Sequence, residues 1–315
     1  MTTQTTNSRV LSEPSSQFDD AIKTSFLGIR DGKCVYSGMF EKNWRVGDVP
    51  HGGYVASCVL NAFRQYFEKR PQTDPVSLNI FFLSKNIIAE FIIEVWSVKD
   101  SKKGYALAYA ALRQKKIPSQ IPIISIDDYN PSDYSEQRIH AITTFGDYAT
   151  ENGLTLLTEP TVPPSRSAFT LKDFSIGNAG LGPLIVWQPD LSYFSTEITP
   201  GKPIANHSIA FADGRKPDVW SLPYFADMFY PPPALLGRDT LGGDMWFPTM
   251  QMEVQFKSVP VGRDMVCAFK SRHIINGRFD VDGELWDEEG TLVATTRHQC
   301  LIVPWSRNSS IPARL

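Results

Sequence analysis

The chain has 315 residues, 42% hydrophobic and 12% aromatic, which is enough apolar material for two sizeable cores and too much for bulk disorder. A formal charge of −3 leaves no basic footprint for nucleic acid, and no run of about eighteen or more apolar residues is present to span a bilayer. Four scattered cysteines (Cys34, Cys58, Cys267, Cys300) without a CxxC pair, and five histidines without an HExxH or HxH cluster, argue against a disulfide framework and against a metal site.

In chain order, residues 1–17 are rich in Thr, Ser and Gln, and read as a disordered tail that cannot offset its ordering entropy by burial. A first unit, 18–130, follows. It opens with strands near 34–40 and continues with HGGYVASCVLNAFRQYFEKR, a helix from 52 to about 69 that is apolar on most sides and therefore wrapped by other elements. Strands at 76–83, 89–98 and 105–112 follow, joined by turn-rich SKN and KDSKKG segments. An antiparallel sheet curled round one buried helix is the economical arrangement. The Pro-, Ser-, Asn- and Asp-rich stretch from about 115 to 182 carries the unit's last strand and then a connection, with the linker taken as 131–182. A second unit, 183–305, repeats the order of strand, strand, helix and meander. Its helix, from 223 to about 229, is cut short by Pro231, Pro232 and Pro233. Residues 306–315 form a C-terminal tail.

The two units are copies. Val76, Leu78, Ile80 and Phe82 reappear as Met250, Met252, Val254 and Phe256, an offset of 174 at every position, and Ser97, Tyr105 and Leu107 keep it at Ser271, Phe279 and Val281. One alternating strand would mean little, whereas a register shared over some thirty residues means duplication. A pseudo-two-fold pair with a site at its interface is the expectation.

The order W…G..PHGGY, FADGRKPDVWSLPYFADMFYPPPALL, WFPTMQMEVQF and GELWDEEGTLVATTRHQCLIV resembles the double-hotdog acyl-CoA thioesterases, the type II or TesB-like group, over nearly the whole chain. The resemblance implies an α+β fold of two tandem hotdogs, each an antiparallel sheet around a central helix. It also implies hydrolysis of acyl-CoA or a related acyl thioester to acid and thiol, with no covalent intermediate, metal or organic cofactor. By motif match, Asp227 in YFADM and Thr249 in FPTMQ position and activate water. The family's glutamine on the last strand falls at His298. Gln299, one residue later, is the alternative third catalytic residue, although strand alternation turns it to the opposite face.

The chemistry can also be built from the residues. Thioester hydrolysis needs an acceptor for water, a donor for the oxyanion and a dry slot for the acyl chain. Asp227 lies among Phe225, Met228 and Phe229, and HGG at a helix start offers unpaired N–H groups, so the backbone at Gly53 and Tyr54 takes the oxyanion role with His51 beside it. The 174 offset sets Asp227 opposite Gly53, which suggests divided labour between the copies. Bland readings compete at each point: Asp227 as a helix-terminal carboxylate, His298 as an ordinary strand histidine, and Trp44, Trp220 and Trp246 as core or interface aromatics. Two other functions stay open, a different hotdog reaction such as dehydration, hydration or polyketide release, and a non-catalytic acyl-binding module. Further pairing of chains through the sheets is compatible with the fold. Ala313-Arg314-Leu315 has the form of a peroxisomal address if the source is eukaryotic, and the location is otherwise cytoplasmic.

Overall fold

The structure, a computed structural model, describes residues 16–156, 161–174 and 180–308. A short helix α1 (Gln17–Ala21) is followed by β1 (Thr24–Arg30), β2 (Lys33–Met39), the short pair β3 (Arg45–Val46) and β4 (Val49–Pro50), and the long helix α2 (Gly52–Phe67). Strands β5 (Asp74–Phe82), β6 (Glu90–Lys99), β7 (Ala106–Arg113) and β8 (Ile139–Gly146) complete the first half. The second half runs β9 (Ile185–Pro189), β10 (Ile204–Phe211), α3 (Leu222–Asp227), α4 (Arg238–Leu241), β11 (Met245–Trp246), β12 (Thr249–Phe256), β13 (Met265–Lys270), β14 (Ile274–Ile275), β15 (Arg278–Trp286), β16 (Leu292–Leu301) and β17 (Val303–Pro304).

The main strands form one sheet in the order β1-β2-β6-β7-β8-β5-β12-β16-β15-β13-β10-β9. This order is a palindrome about the junction of β5 and β12. At that junction Ile80 pairs with Met252, Asn79 with Glu253 and Leu78 with Val254. Adding 174 to Leu78, Asn79 and Ile80 gives 252, 253 and 254, so the ladder maps onto itself when the halves are exchanged. Asn79 and Glu253 are each other's equivalents, and the pseudo-two-fold axis passes between them. The repeat read from the apolar alternation is thus a pairing rule as well as a resemblance.

Helix α2 is buried along most of its length, with Tyr54, Val55, Ala56, Cys58, Val59, Leu60, Ala62 and Phe63 all excluded from water, and it packs against α3 at the centre of one continuous core. Helix α3 closes after Asp227 because the Pro231–Pro233 run cannot continue it. The third strands of each half are held by cross-strand pairs such as Val95 with Ala110 and Phe269 with Gly283.

Three boundaries differ from the sequence expectation. Strand β8 lies within the segment taken as linker, because the Pro- and Asp-rich insertion before it hides a well-alternating IHAITTFG. The insertion folds over the outer face of the first half-sheet, where Tyr129 and Tyr134 are buried and their hydroxyls donate to Glu94 (3.0 Å) and Glu90 (2.6 Å). Helix α1 starts at Gln17, inside the expected tail, with Phe18 buried against Trp44 and Phe211. At the other end Asn308 is buried and its side-chain oxygen accepts from Asp48 N–H at 2.9 Å, so the tail begins later than residue 306. Ala313-Arg314-Leu315 and most of the N-terminal tail lie outside the described residues.

Candidate active site

The site is assembled from both halves at the contact of α2 and α3. His51 is the N-cap of α2: its Nδ1 accepts from Tyr54 N–H (3.4 Å), which leaves Nε2 as the ring's donor, and Nε2 gives its hydrogen to the backbone carbonyl of Asp227 (3.1 Å). Gly53 N–H donates to Asp227 Oδ2 at 2.7 Å. The same oxygen lies 3.6 Å from His51 Nε2. On the other side of the carboxylate, Thr249 Oγ1 stands 3.4 Å from Oδ1 and His298 Nε2 stands 3.6 Å from it. The two positions equated by the 174 offset, Gly53 and Asp227, therefore touch.

The paired glycines are required by close approach. A Cβ on Gly52 would lie 2.6 Å from Asp227 Oδ2, and one on Gly53 would lie 2.6 Å from the Pro223 carbonyl oxygen and 2.9 Å from Tyr224 Cα. Thr249 reaches the site because β12 carries a bulge. Thr249 pairs with Cys300 and Gln251 with Gln299, leaving Met250 unpaired, and the extra residue turns Thr249 to the inner face shared by Met252 and Val254. No such shift occurs at His298, so strict alternation holds there. His298 is buried against the Phe229 ring, and Gln299 is exposed on the outer face. The alternative placement of the third residue at Gln299 is thereby corrected.

Burial lowers the pKa of His298 to about 4, the nearby Asp227 charge opposing the shift and His51 adding to it. His51 is also lowered by burial, and His207, buried and stacked on Phe269 in the second half, goes down to about 3. An unfolded chain takes up these protons near pH 6.5, whereas the folded chain does not. Stability is therefore full above about pH 6.5 and falls as the pH drops toward 4, by up to about 1.4 kcal/mol per pH unit for each histidine. Urea unfolding between pH 7 and 4 should show this loss, and His298→Gln, which removes one of the titrating groups, should flatten it. An equally steep loss in that variant would place the acid sensitivity elsewhere.

A cavity of about 850 Å³ opens onto this cluster. His51, Gly52, Asp227, Thr249 and Cys300 are on its wall, and Phe82, Phe229, Trp246, Phe247, Met250 and Phe279 supply an apolar lining suited to an acyl chain. Three sequence assignments need correction here. The Gly53 and Tyr54 N–H groups are already bonded to Asp227 and His51, so neither is free for a substrate oxygen; Gly52 lines the cavity, and its N–H, the first of α2, meets no acceptor among the described residues. His298 lies 3.6 Å from Asp227, its ring nitrogens make no hydrogen bond among the described residues, and it is not on the wall. Trp246, taken as a core or interface aromatic, lines the cavity, while Trp44 is buried in the core. Reading the helix position more closely would have found Gly52, because the first residue after an N-cap always has an unpaired N–H. Cys300 had no sequence signal: its Sγ lies 3.7 Å from Thr249 Oγ1 through a strand pairing that spacing does not disclose.

Residues 40–126 match the acyl-CoA thioesterase N-terminal domain and residues 186–302 the acyl-CoA thioesterase C-terminal domain. The thioesterase-like protein TwmA of Talaromyces wortmannii is 22% identical over 87% of this chain and 90% of its own length. Among solved structures, a hot dog fold protein of unknown function from Alicyclobacillus acidocaldarius superposes with a TM-score of 0.71 at 19% identity, covering 92% of this chain and 99% of that one. The acyl-CoA thioesterase II TesB2 of Mycobacterium marinum does so with a TM-score of 0.65 at 14% identity, over 92% and 99%. With both thioesterase domains present in order on a hotdog sheet, the chain belongs to the acyl-CoA thioesterase family and is an acyl-CoA thioesterase.

Proposed function

We propose that the chain hydrolyses acyl-CoA through a water activated by Asp227, without an acyl-enzyme. Water held between Asp227 Oδ1 and Thr249 Oγ1 gives a proton to the carboxylate as its oxygen bonds to the thioester carbon. The carbonyl oxygen, now negative, accepts from Gly52 N–H at the positive end of the α2 dipole. The carbon–sulfur bond then breaks, and the thiolate leaves with the proton that Asp227 had taken. Gly53 N–H and Thr249 hold the carboxylate, and His51 and His298, each 3.6 Å from one of its oxygens, flank it without touching the substrate.

The observation that carries this reading is the Asp227 carboxylate on the cavity wall, held by Gly53 N–H and faced by Thr249, beside a cysteine that is not activated. Burial, with the Asp227 charge adding to it, pushes the Cys300 thiol up from its ordinary range, so it stays protonated and is a poor nucleophile. The competing reading, proton abstraction from carbon by a histidine, is disfavoured because both His51 ring nitrogens are occupied and His298 lies off the cavity.

Free-thiol release from acyl-CoA esters of short, medium and long chain tests the proposal. Release is expected, with a preference for chains that fill the apolar part of the cavity. A folded protein that releases thiol from none of them would overturn it.

A further inference from the structure

A second cavity, about 690 Å³, adjoins the reaction cavity and shares Leu83 and Ser84 with it. Its wall carries Arg113, Ser135, Glu136 and Arg138. The two arginines differ. Arg113 is committed, with its Nε 3.5 Å from Glu94 and its Nη1 donating to Ser135 O at 3.1 Å. Arg138 makes no ion pair among the described residues. Its Nη1 donates to the backbone oxygen of Lys85, and its Nε is buried with no acceptor. Burial holds its pKa below the usual arginine range. A half-buried guanidinium with one backbone acceptor is costly, and a bidentate oxyanion is the partner its fork fits best.

The position also fits. Leu83 and Ser84 N–H groups both donate to the Arg138 carbonyl (2.9 and 3.3 Å), which fixes Arg138 beside the end of β5. Phe82, on the reaction-cavity wall, would be 3.4 Å from a Cβ on Gly52. From Phe82 to Ser84 is two residues of chain, about 7 Å at full extension. Lys85 and Arg307 stand on the adjoining wall, with Lys85 Nζ over the Trp246 ring. The opposing charge on the second wall is Glu136.

We propose that Arg138, at the junction of the two cavities, binds a phosphate on the thiol side of the substrate, the group carried by a phosphopantetheine arm. The ligand's identity rests on the thioesterase reading above, but its binding can be measured without turnover. Calorimetry with CoA, 4′-phosphopantetheine and pantetheine separates the contributions. Arg138→Gln should weaken CoA about tenfold or more and change pantetheine less than about twofold, the range expected for one charge-assisted bidentate contact. Arg138→Lys, which keeps the charge and loses the fork, should fall between, and it supplies the comparison if the glutamine variant does not fold. A matching loss with 4′-phosphopantetheine assigns the subsite to the phosphate of the arm, shared by CoA and carrier proteins. A loss confined to CoA would place the contact on the nucleotide phosphates and overturn the assignment to the arm. Equal weakening of all three ligands, unchanged CoA binding, or no CoA binding by the native chain would overturn the proposal. Absence of thiol release alongside phosphate-dependent binding would remove the hydrolysis reading and leave the subsite standing.

Discussion

Asp227→Asn is expected to lower thiol release by about a hundredfold or more and to leave the unfolding midpoint nearly unchanged. The amide oxygen can still accept from Gly53 N–H, so the α2–α3 contact keeps its hydrogen bond. The amide cannot take a proton from water. Thr249→Ala should lose less, since it removes one of two groups that orient the water and leaves the base in place. Turnover and urea unfolding measured together decide the assignment. Native turnover in Asp227→Asn would remove Asp227 as the base, and a collapsed midpoint would mark it as a structural carboxylate.

Gly53→Ala is the second large effect, and its sign follows from magnitudes. Alanine is favoured over glycine in a helix by about 1 kcal/mol at most. Against this, the new methyl would lie 2.6 Å from the Pro223 carbonyl oxygen, 2.8 Å from Asp227 Cβ and 2.9 Å from Tyr224 Cα. Two of these are backbone atoms in the core, with no rotamer by which to move away. The helices must separate, at a cost of about 1–3 kcal/mol or more, so the variant should be less stable by roughly 2 kcal/mol. It should also lose activity, because the separation carries Asp227 away from Thr249. An unshifted midpoint in urea would show that the contact can widen without cost.

The central architecture was legible because the apolar period of β5 and β12 sets both the face and the register, and a duplicated register implies the axis. The shortness of α3 could be read from Pro231–Pro233, and the direction of His298 from alternation along β16. The rest depended on tertiary geometry. The bulge at Met250 arises where Thr249 pairs with Cys300; Pro248 in FPTMQ marks a place where the strand can be irregular but does not fix the register. Strand β1 alternates poorly, with much of it exposed at the sheet edge, so no periodic signal announced it. The polar insertion ahead of β8 looked like a connection because its buried groups are tyrosines bonded to carboxylates, a pattern that composition alone reads as loop. Arg138 is hidden for a related reason: a single arginine has no sequence context to show that it forms no ion pair among the described residues.

The division of the site between α2 and α3 bears on how such a chain can evolve. The first half supplies the His51 cap and the glycine pair, and the first turn of α2 contains no acid. The second half supplies Asp227 and Thr249, but α3 opens with Leu222 and Pro223 and has no capping side chain. Two first halves brought together would make a cradle without a base, and two second halves a base without a cradle. On the proposed mechanism, separating the halves and pairing each with a copy of itself would give two inactive dimers.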